Sequence, residues 1–279
     1  MVRIIVDSSS DFTPEELQEK EIELVSLCIH LDDKIYFDGV DITRDELYEW
    51  LMADSSHFPK TSQPSPQEFL SIFNDAAENG DEVVCILLSS ALSGTCQSAF
   101  LAKNMADYEN IHIVDSLTAT HMIRLLALHA DRMRRNGSNA IQIVTALEEL
   151  KGKTKVYAAL DTLEYLQRGG RLSKAAAAVG TLANLKPVIS VSEEGKVEVV
   201  QKCMGKNKTL RFLMDKIQEL NIDTEFPIYS VYTYGTENTE LFEKRLTDAG
   251  YTVSERVQVG ATIGCHVGPG VCGFIFVEK

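Results

Sequence analysis

Glu82-Val83-Val84-Cys85-Ile86-Leu87-Leu88 passes directly into Ser89-Ser90-Ala91-Leu92-Ser93-Gly94-Thr95 and then into a helical pattern reaching about Ala106. A strand with no polar alternation is one buried on both faces, as in parallel sheets covered by helices. The same order recurs elsewhere. Val2 to Val6 leads through Asp7-Ser8-Ser9-Ser10-Asp11 to a helix opened by Thr13-Pro14-Glu15-Glu16, and Ile111 to Val114 leads through Asp115-Ser116 to a helix carrying His121 and His129. Strand, hydroxyl or acid loop, then helix, repeated, is the signature of a parallel α/β sheet.

Punctuation sets the remainder of this half. A second strand is expected within Ile22 to Leu31, a turn-bounded ribbon at Lys34 to Phe37 with Asp38-Gly39, and a capping box at Thr43-Arg44-Asp45-Glu46 before a helix from Arg44 to Met52. Pro59-Lys60-Thr61-Ser62-Gln63-Pro64-Ser65-Pro66 holds three prolines and three hydroxyls and predicts an irregular loop before a helix starting near Pro66. A helix over Asn139 to Leu150 closes a first domain, residues 1–152.

Residues 153–279 read differently. Strands are expected at Lys155 to Leu160, Ile228 to Tyr232, Val253 to Val259 and Gly273 to Val277, with a hairpin pairing Pro187 to Val191 with Val197 to Gln201. Helices are expected after Ser173 to about Leu185, over Lys206 to Leu220 and over Glu237 to Ala249, and Gly260 to Gly270 is expected to be a glycine-rich loop. Hairpins beside helices imply a mixed sheet. The fold expected is therefore α/β in two domains, the first a three-layer parallel-sheet domain and the second a two-layer domain with a mixed sheet.

Lys and Arg total 27 against 41 Asp and Glu, a net charge of −14, which opposes binding to a phosphate backbone or an anionic membrane surface. No apolar stretch approaches the ~18–20 residues of a membrane span. Asp7 interrupts the N-terminus too early for a signal peptide, and the six cysteines are scattered without a CxxC pair, so a cytoplasmic protein with reduced thiols is expected.

Ligands of open parallel sheets sit beyond the carboxyl ends of the strands, where hydroxyls and helix N-termini suit a carboxylate or phosphate. Ser8-Ser9, Ser89 to Thr95 and Asp115-Ser116 all belong at that edge, although Ser, Thr and Asp also cap helices without any ligand. The Ser89 to Thr95 loop carries more hydroxyls than one cap needs. Gly268-Pro269-Gly270-Val271-Cys272-Gly273 matches GxGxxG formally but no helix follows it, and neither a GxxxxGK[ST] loop nor a GxSxG elbow is present. Cys265, His266 and Cys272 match no common zinc spacing, so no metal and no cofactor is expected. Arg168-Gly169-Gly170-Arg171 with Lys174 forms a basic patch in an acidic chain, a candidate contact for a partner or a phosphate.

These motifs, taken in order with Leu163-Glu164-Tyr165-Leu166, Lys186-Pro187 and Ile263-Gly264-Cys265-His266-Val267-Gly268-Pro269-Gly270, resemble the DegV family of bacterial fatty-acid-binding proteins along essentially the whole chain. The resemblance implies a fatty acid lying between the two domains. Its carboxylate would be held by Thr61, Ser93 and His266, with Ser62 and the Gly94 amide close by. It also implies a non-catalytic role: presenting the acid to a fatty acid kinase, which forms an acyl phosphate for phospholipid synthesis, with Arg168, Arg171 and Lys174 as candidate docking contacts. Relatives commonly carry an arginine where this chain has Met204 in Lys202-Cys203-Met204-Gly205-Lys206, a stretch implicated in engaging the kinase.

Two other functions compete. Ser93 and His266 would serve an acyl hydrolase or transferase as nucleophile and base, although the elbow and a third member are missing. A sensor of a small anion would instead need a short polar cleft.

Overall fold

The computed structural model describes residues 1–173 and 184–279. Lys174 and the alanine-rich helix expected beyond it lie outside the described residues. Two compact units emerge, one of Met1–Thr43, Pro59–Gly152 and Glu193–Gly195, the other of Arg44–Phe58, Lys153–Ser192 and Lys196–Lys279.

In the first unit β1 (Val2–Asp7) is followed by α1 (Pro14–Lys20), β2 (Ile22–Val25), β3 (Cys28–Leu31) and β4 (Lys34–Phe37). The next helix, α2 (Arg44–Ala53), belongs to the second unit. Then come β5 (Lys60–Ser62), α3 (Pro66–Asn79), β6 (Glu82–Leu87), α4 (Thr95–Ala106), β7 (Ile111–Asp115), α5 (His121–Arg135) and α6 (Ala140–Lys151). Strands run in the order β2-β1-β6-β7, all parallel. Along β6, Val83, Cys85 and Leu87 pack with Phe69 and Phe73 of α3 and Ala99 of α4. Val84 and Ile86 alternate to the other face, where α5 and α6 contact the sheet. Three layers follow from this one strand being buried on both sides. Capping boxes at Thr13, Ser65 and Asn139 fix the starts of α1, α3 and α6, each such cap being worth about 1 kcal/mol.

Two local expectations change. The run Ile22 to Leu31 is two strands in different sheets, β2 in the parallel sheet and β3 in an antiparallel ribbon ordered β4-β3-β5. Moreover Lys60–Ser62, expected to be irregular, is the strand β5, with Thr61 opposite Ile29 and Ser62 opposite Cys28. Pro59 and Pro64 flank this pairing without entering it, so every residue of the short strand keeps its N–H.

The second unit contains β8 (Thr154–Ala159), α7 (Glu164–Arg168), β9 (Leu185–Val191), β10 (Val197–Met204), α8 (Lys206–Glu219), β11 (Tyr229–Tyr232), α9 (Glu237–Asp248), β12 (Glu255–Gln258), α10 (Ala261–Val267) and β13 (Cys272–Val277). Its sheet is mixed, ordered β10-β9-β8-β13-β11-β12, with β11 and β12 parallel. Leu210, Leu213 and Ile217 of α8 and Phe242 and Leu246 of α9 pack on Val188, Phe274 and Phe276 of the sheet. The segment 44–58 joins this unit through Tyr48, whose hydroxyl donates to the Val259 carbonyl at 2.8 Å. Residues 261–267, expected to lie in a loop, form a helix, because Gly260 caps its start and Gly268, at φ 72°, ends it.

Candidate functional site

The first unit supplies the hydroxyl loops. Thr61 and Ser62 are neighbours on β5 and so face opposite sides of the ribbon. Thr61 is half-buried, whereas Ser62 Oγ lies 3.0 Å from His30 Nε2. Ser93 is seated by its N–H donating to the Ser89 carbonyl at 3.1 Å, and its Oγ lies 2.9 Å from Thr95 Oγ1. Gly94 begins α4 directly beneath Gln63: a Cβ there would overlap the carboxamide and stand 2.6 Å from its Cδ. Gln63 Nε2 in turn donates to Ser98 Oγ at 3.0 Å. The Thr-Ser-Gln-Pro and Ser-Gly-Thr motifs, some thirty residues apart in the chain, are thus clamped together. Gln63 escaped the sequence reading, where only its hydroxyl neighbours carried a chemical signal.

Beneath these loops lies a buried acid framework. Asp7 accepts from the N–H of Ser9 at 2.9 Å and of Leu88 at 2.6 Å and from the Ser9 hydroxyl, while burial, the largest influence, raises its carboxyl to about 6. Ser89, one of the surplus hydroxyls, is structural: its Oγ donates to the Gly195 carbonyl at 2.9 Å.

The second unit holds His266 on α10, 8% exposed. Burial, and next the Arg171 charge, depress the imidazole to about 4, so it is neutral at physiological pH. The Arg-Gly-Gly-Arg segment is built around it. Gly169 faces the ring, and Gly170 takes φ 76°, a left-handed conformation suited to glycine. Arg171 is half-buried and donates to the Gly169 carbonyl at 2.6 Å. Arg168 pairs with Glu164 at 3.2 Å and lies over the Phe58 ring at 3.9 Å, which in turn stacks on Tyr165. This basic segment is therefore anchored by packing. Lys186, from another sequence motif, pairs with Asp161 at 2.6 Å, and Asp161 packs against Gly270. Met204 on β10 is exposed.

Among the described residues no group of three or more His, Cys, Asp or Glu is arranged to hold a metal, and no helix is long and apolar enough to cross a membrane.

The chain is 35% identical over 280 residues to a DegV domain-containing protein of Caldanaerobacter subterraneus subsp. tengcongensis, covering 100% of this chain and 99% of that one. Among solved structures, one described as fatty acid binding of a DegV family protein from Thermus thermophilus has a TM-score of 0.88 at 30% identity, covering 100% of this chain and 99% of the other. A fat acid (stearic acid)-binding protein from Eubacterium ventriosum has a TM-score of 0.87 at 29% identity with the same coverage. The family model described as "Uncharacterised protein, DegV family" matches residues 1–279, and the chain belongs to that family.

Proposed function

We propose that the protein is a non-catalytic carrier of one long-chain fatty acid. Its carboxylate is taken by the Thr61 and Ser93 hydroxyls, the Gly94 amide and the His266 imidazole, with Ser62 held behind them by His30. A carboxylate withdrawn from water needs its lone pairs filled, and O–H, N–H and a neutral imidazole N–H donor do this without a metal. The acyl tail supplies affinity: at ~0.8 kcal/mol per buried CH₂, about 15 methylenes contribute on the order of 12 kcal/mol before the cost of ordering chain and loops. The observation that carries the reading is the likeness, over 100% of this chain, to a Thermus thermophilus protein described as binding fatty acid.

In this reading the carrier is cytoplasmic and hands its cargo to a fatty acid kinase. The kinase's nucleoside triphosphate gives its terminal phosphoryl group to a carboxylate oxygen, the nucleoside diphosphate leaves, and the acyl phosphate enters phospholipid synthesis. Arg168 and Arg171, with Lys174, dock the kinase or its phosphates, and the uncharged Met204 leaves Lys202 and Lys206 as its basic neighbours. Charge reversal at Arg168 and Arg171 should lower phosphotransfer; unchanged transfer would remove these residues from the docking role.

Native mass spectrometry of the purified protein, followed by lipid extraction, tests the carrier itself. One fatty acid per chain is expected, reduced in Ser93→Ala with His266→Ala. Wild-type protein that neither retains nor takes up a fatty acid would overturn the proposal.

A further inference from the structure

The Asp7-Ser8-Ser9-Ser10-Asp11 segment has no place in the carboxylate contacts proposed above, yet its two acids are among the most buried side chains of the first unit, at 0% and 3% exposure. Each reaches a different loop. Asp7 accepts from the Leu88 N–H at 2.6 Å, at the last residue before the Ser89 to Thr95 loop. Asp11, itself at φ 61°, accepts from the Thr120 hydroxyl at the far end of the loop that follows β7, and its carboxylate lies 3.6 Å from His121 Nε2.

The two loops are then tied to each other. The Ser89 N–H donates to the Thr118 carbonyl at 2.9 Å, and Asp115 Oδ1 accepts from the N–H groups of Ser90 and Leu117, both at 3.1 Å. Ser89 in turn accepts from the N–H groups of Leu92 at 2.9 Å and Ser93 at 3.1 Å. Hydrogen bonds, joined by the backbone from Leu88 to Ser89 and from Thr118 to Thr120, thus connect both acids of the first loop to the backbone of Ser93.

Thr120 holds its place against its own backbone preference. It sits at φ 55° and ψ −147°, a region populated almost only by glycine, and it is β-branched. Its hydroxyl is what glycine would lack. Capping α5 does not explain it, because Thr120 makes no side-chain cap hydrogen bond to that helix.

We infer that Asp7, Asp11 and Thr120 are positioning residues: they fix the Ser89 to Ser93 backbone so that the Ser93 hydroxyl is pre-aimed at the ligand carboxylate. This inference rests on the fatty-acid reading for its ligand and on the hydrogen bonds within the first unit for its geometry. Pre-organisation of this kind shows in affinity and local order more than in global stability.

The test compares Thr120→Val, which keeps the shape and removes the donor, with Thr120→Ser, which keeps the donor, and Thr120→Gly, which relaxes the backbone. Each variant is assayed for displacement of a fluorescent long-chain fatty acid, for its thermal midpoint, and for amide hydrogen exchange at Leu92 and Ser93 without ligand. Thr120→Val should bind roughly tenfold more weakly and exchange faster at both amides, with strand β6 protected as in wild type. Thr120→Ser should restore both readouts. Thr120→Gly should lose affinity while its thermal midpoint holds or rises, a split that a merely structural threonine would not produce. Wild-type exchange at Leu92 and Ser93 in Thr120→Val would overturn the inference whatever the ligand result. If wild type fails to bind the probe, the fatty-acid reading falls, while the exchange data still decide the positioning role.

Discussion

Gly169 packs against the His266 imidazole, so closely that a Cβ on residue 169 would overlap Nδ1 and come within 2.9 Å of Cε1. The second glycine of the same motif behaves differently: a Cβ at Gly170 would meet nothing within 4 Å, although its φ of 76° disfavours any other residue. One glycine keeps space for a ring and the other permits a turn.

Gly169→Ala should therefore displace the imidazole and weaken fatty-acid binding by tenfold or more, on the order of a lost charge-assisted hydrogen bond. Gly170→Ala should cost about 1 kcal/mol of stability through backbone strain while leaving the ring in place. Lipid retention and thermal melts of the two variants, side by side, check this. Equal ligand loss in both would show that the ring contact does not matter.

Gly94 and Gln63 are expected to be energetically coupled. Gly94→Ala must push aside the Gln63 carboxamide and break its hydrogen bond to Ser98. The methyl group then finds room once Gln63 is shortened to alanine, so Gln63→Ala should cost less in the Gly94→Ala background than in wild type, by about 1 kcal/mol. Urea unfolding of the four proteins in this double-mutant cycle measures the coupling.

The parts of this architecture legible in the sequence are those set by local pattern. β6 declared itself because its residues are apolar on both faces, α1 because Thr13 stands three residues ahead of Glu16, and the start of α3 because Pro66 ends a proline-rich loop. What escaped depended on distant partners. Gly264 lowers helix propensity in the middle of α10, about 1 kcal/mol relative to alanine. It is required there because a Cβ would stand 2.5 Å from the hydroxyl of Tyr48, a residue more than two hundred positions earlier. The same tyrosine draws residues 44–58 into the second unit, and no composition change at Arg44 or Phe58 announces it. Thr61 and Ser93 were visible as hydroxyls, but not the Gln63 clamp between their loops.

His266 should titrate near 4 in the ligand-free protein and higher when loaded, because a carboxylate beside the ring favours the imidazolium. Its depressed value makes the unfolded chain bind the extra proton first. The stability it contributes is present above the unfolded value of 6.5 and is lost as pH falls through about 4, to a total of roughly 3 kcal/mol. Resonances of the His266 ring followed by NMR from pH 3 to 8, with and without fatty acid, read both values. Identical titration in the two states would argue against His266 as a carboxylate ligand.

Asp7 works in the opposite direction over nearly the same range. Its folded value of about 6 lies above the unfolded 3.8, so here the folded state binds the proton more tightly and stability falls as pH rises from 3.8 through 6. Keeping the buried carboxylate ionised at neutral pH costs roughly 3 kcal/mol, because the N–H donors of Ser9 and Leu88 offset only part of the desolvation. Asp7→Asn removes this titration and leaves that of His266. The variant should lose stability on acidification between pH 6 and 4 more steeply than wild type, in which the two groups oppose each other. Denaturant midpoints of both proteins at half-unit pH steps measure the difference, and parallel curves would show that Asp7 does not titrate in this window. The asparagine also sets an amide beside the Leu88 N–H whenever its NH₂ end points there, so the same variant should loosen the Ser89 to Ser93 backbone at neutral pH, where the wild-type carboxylate is ionised and accepts from that N–H.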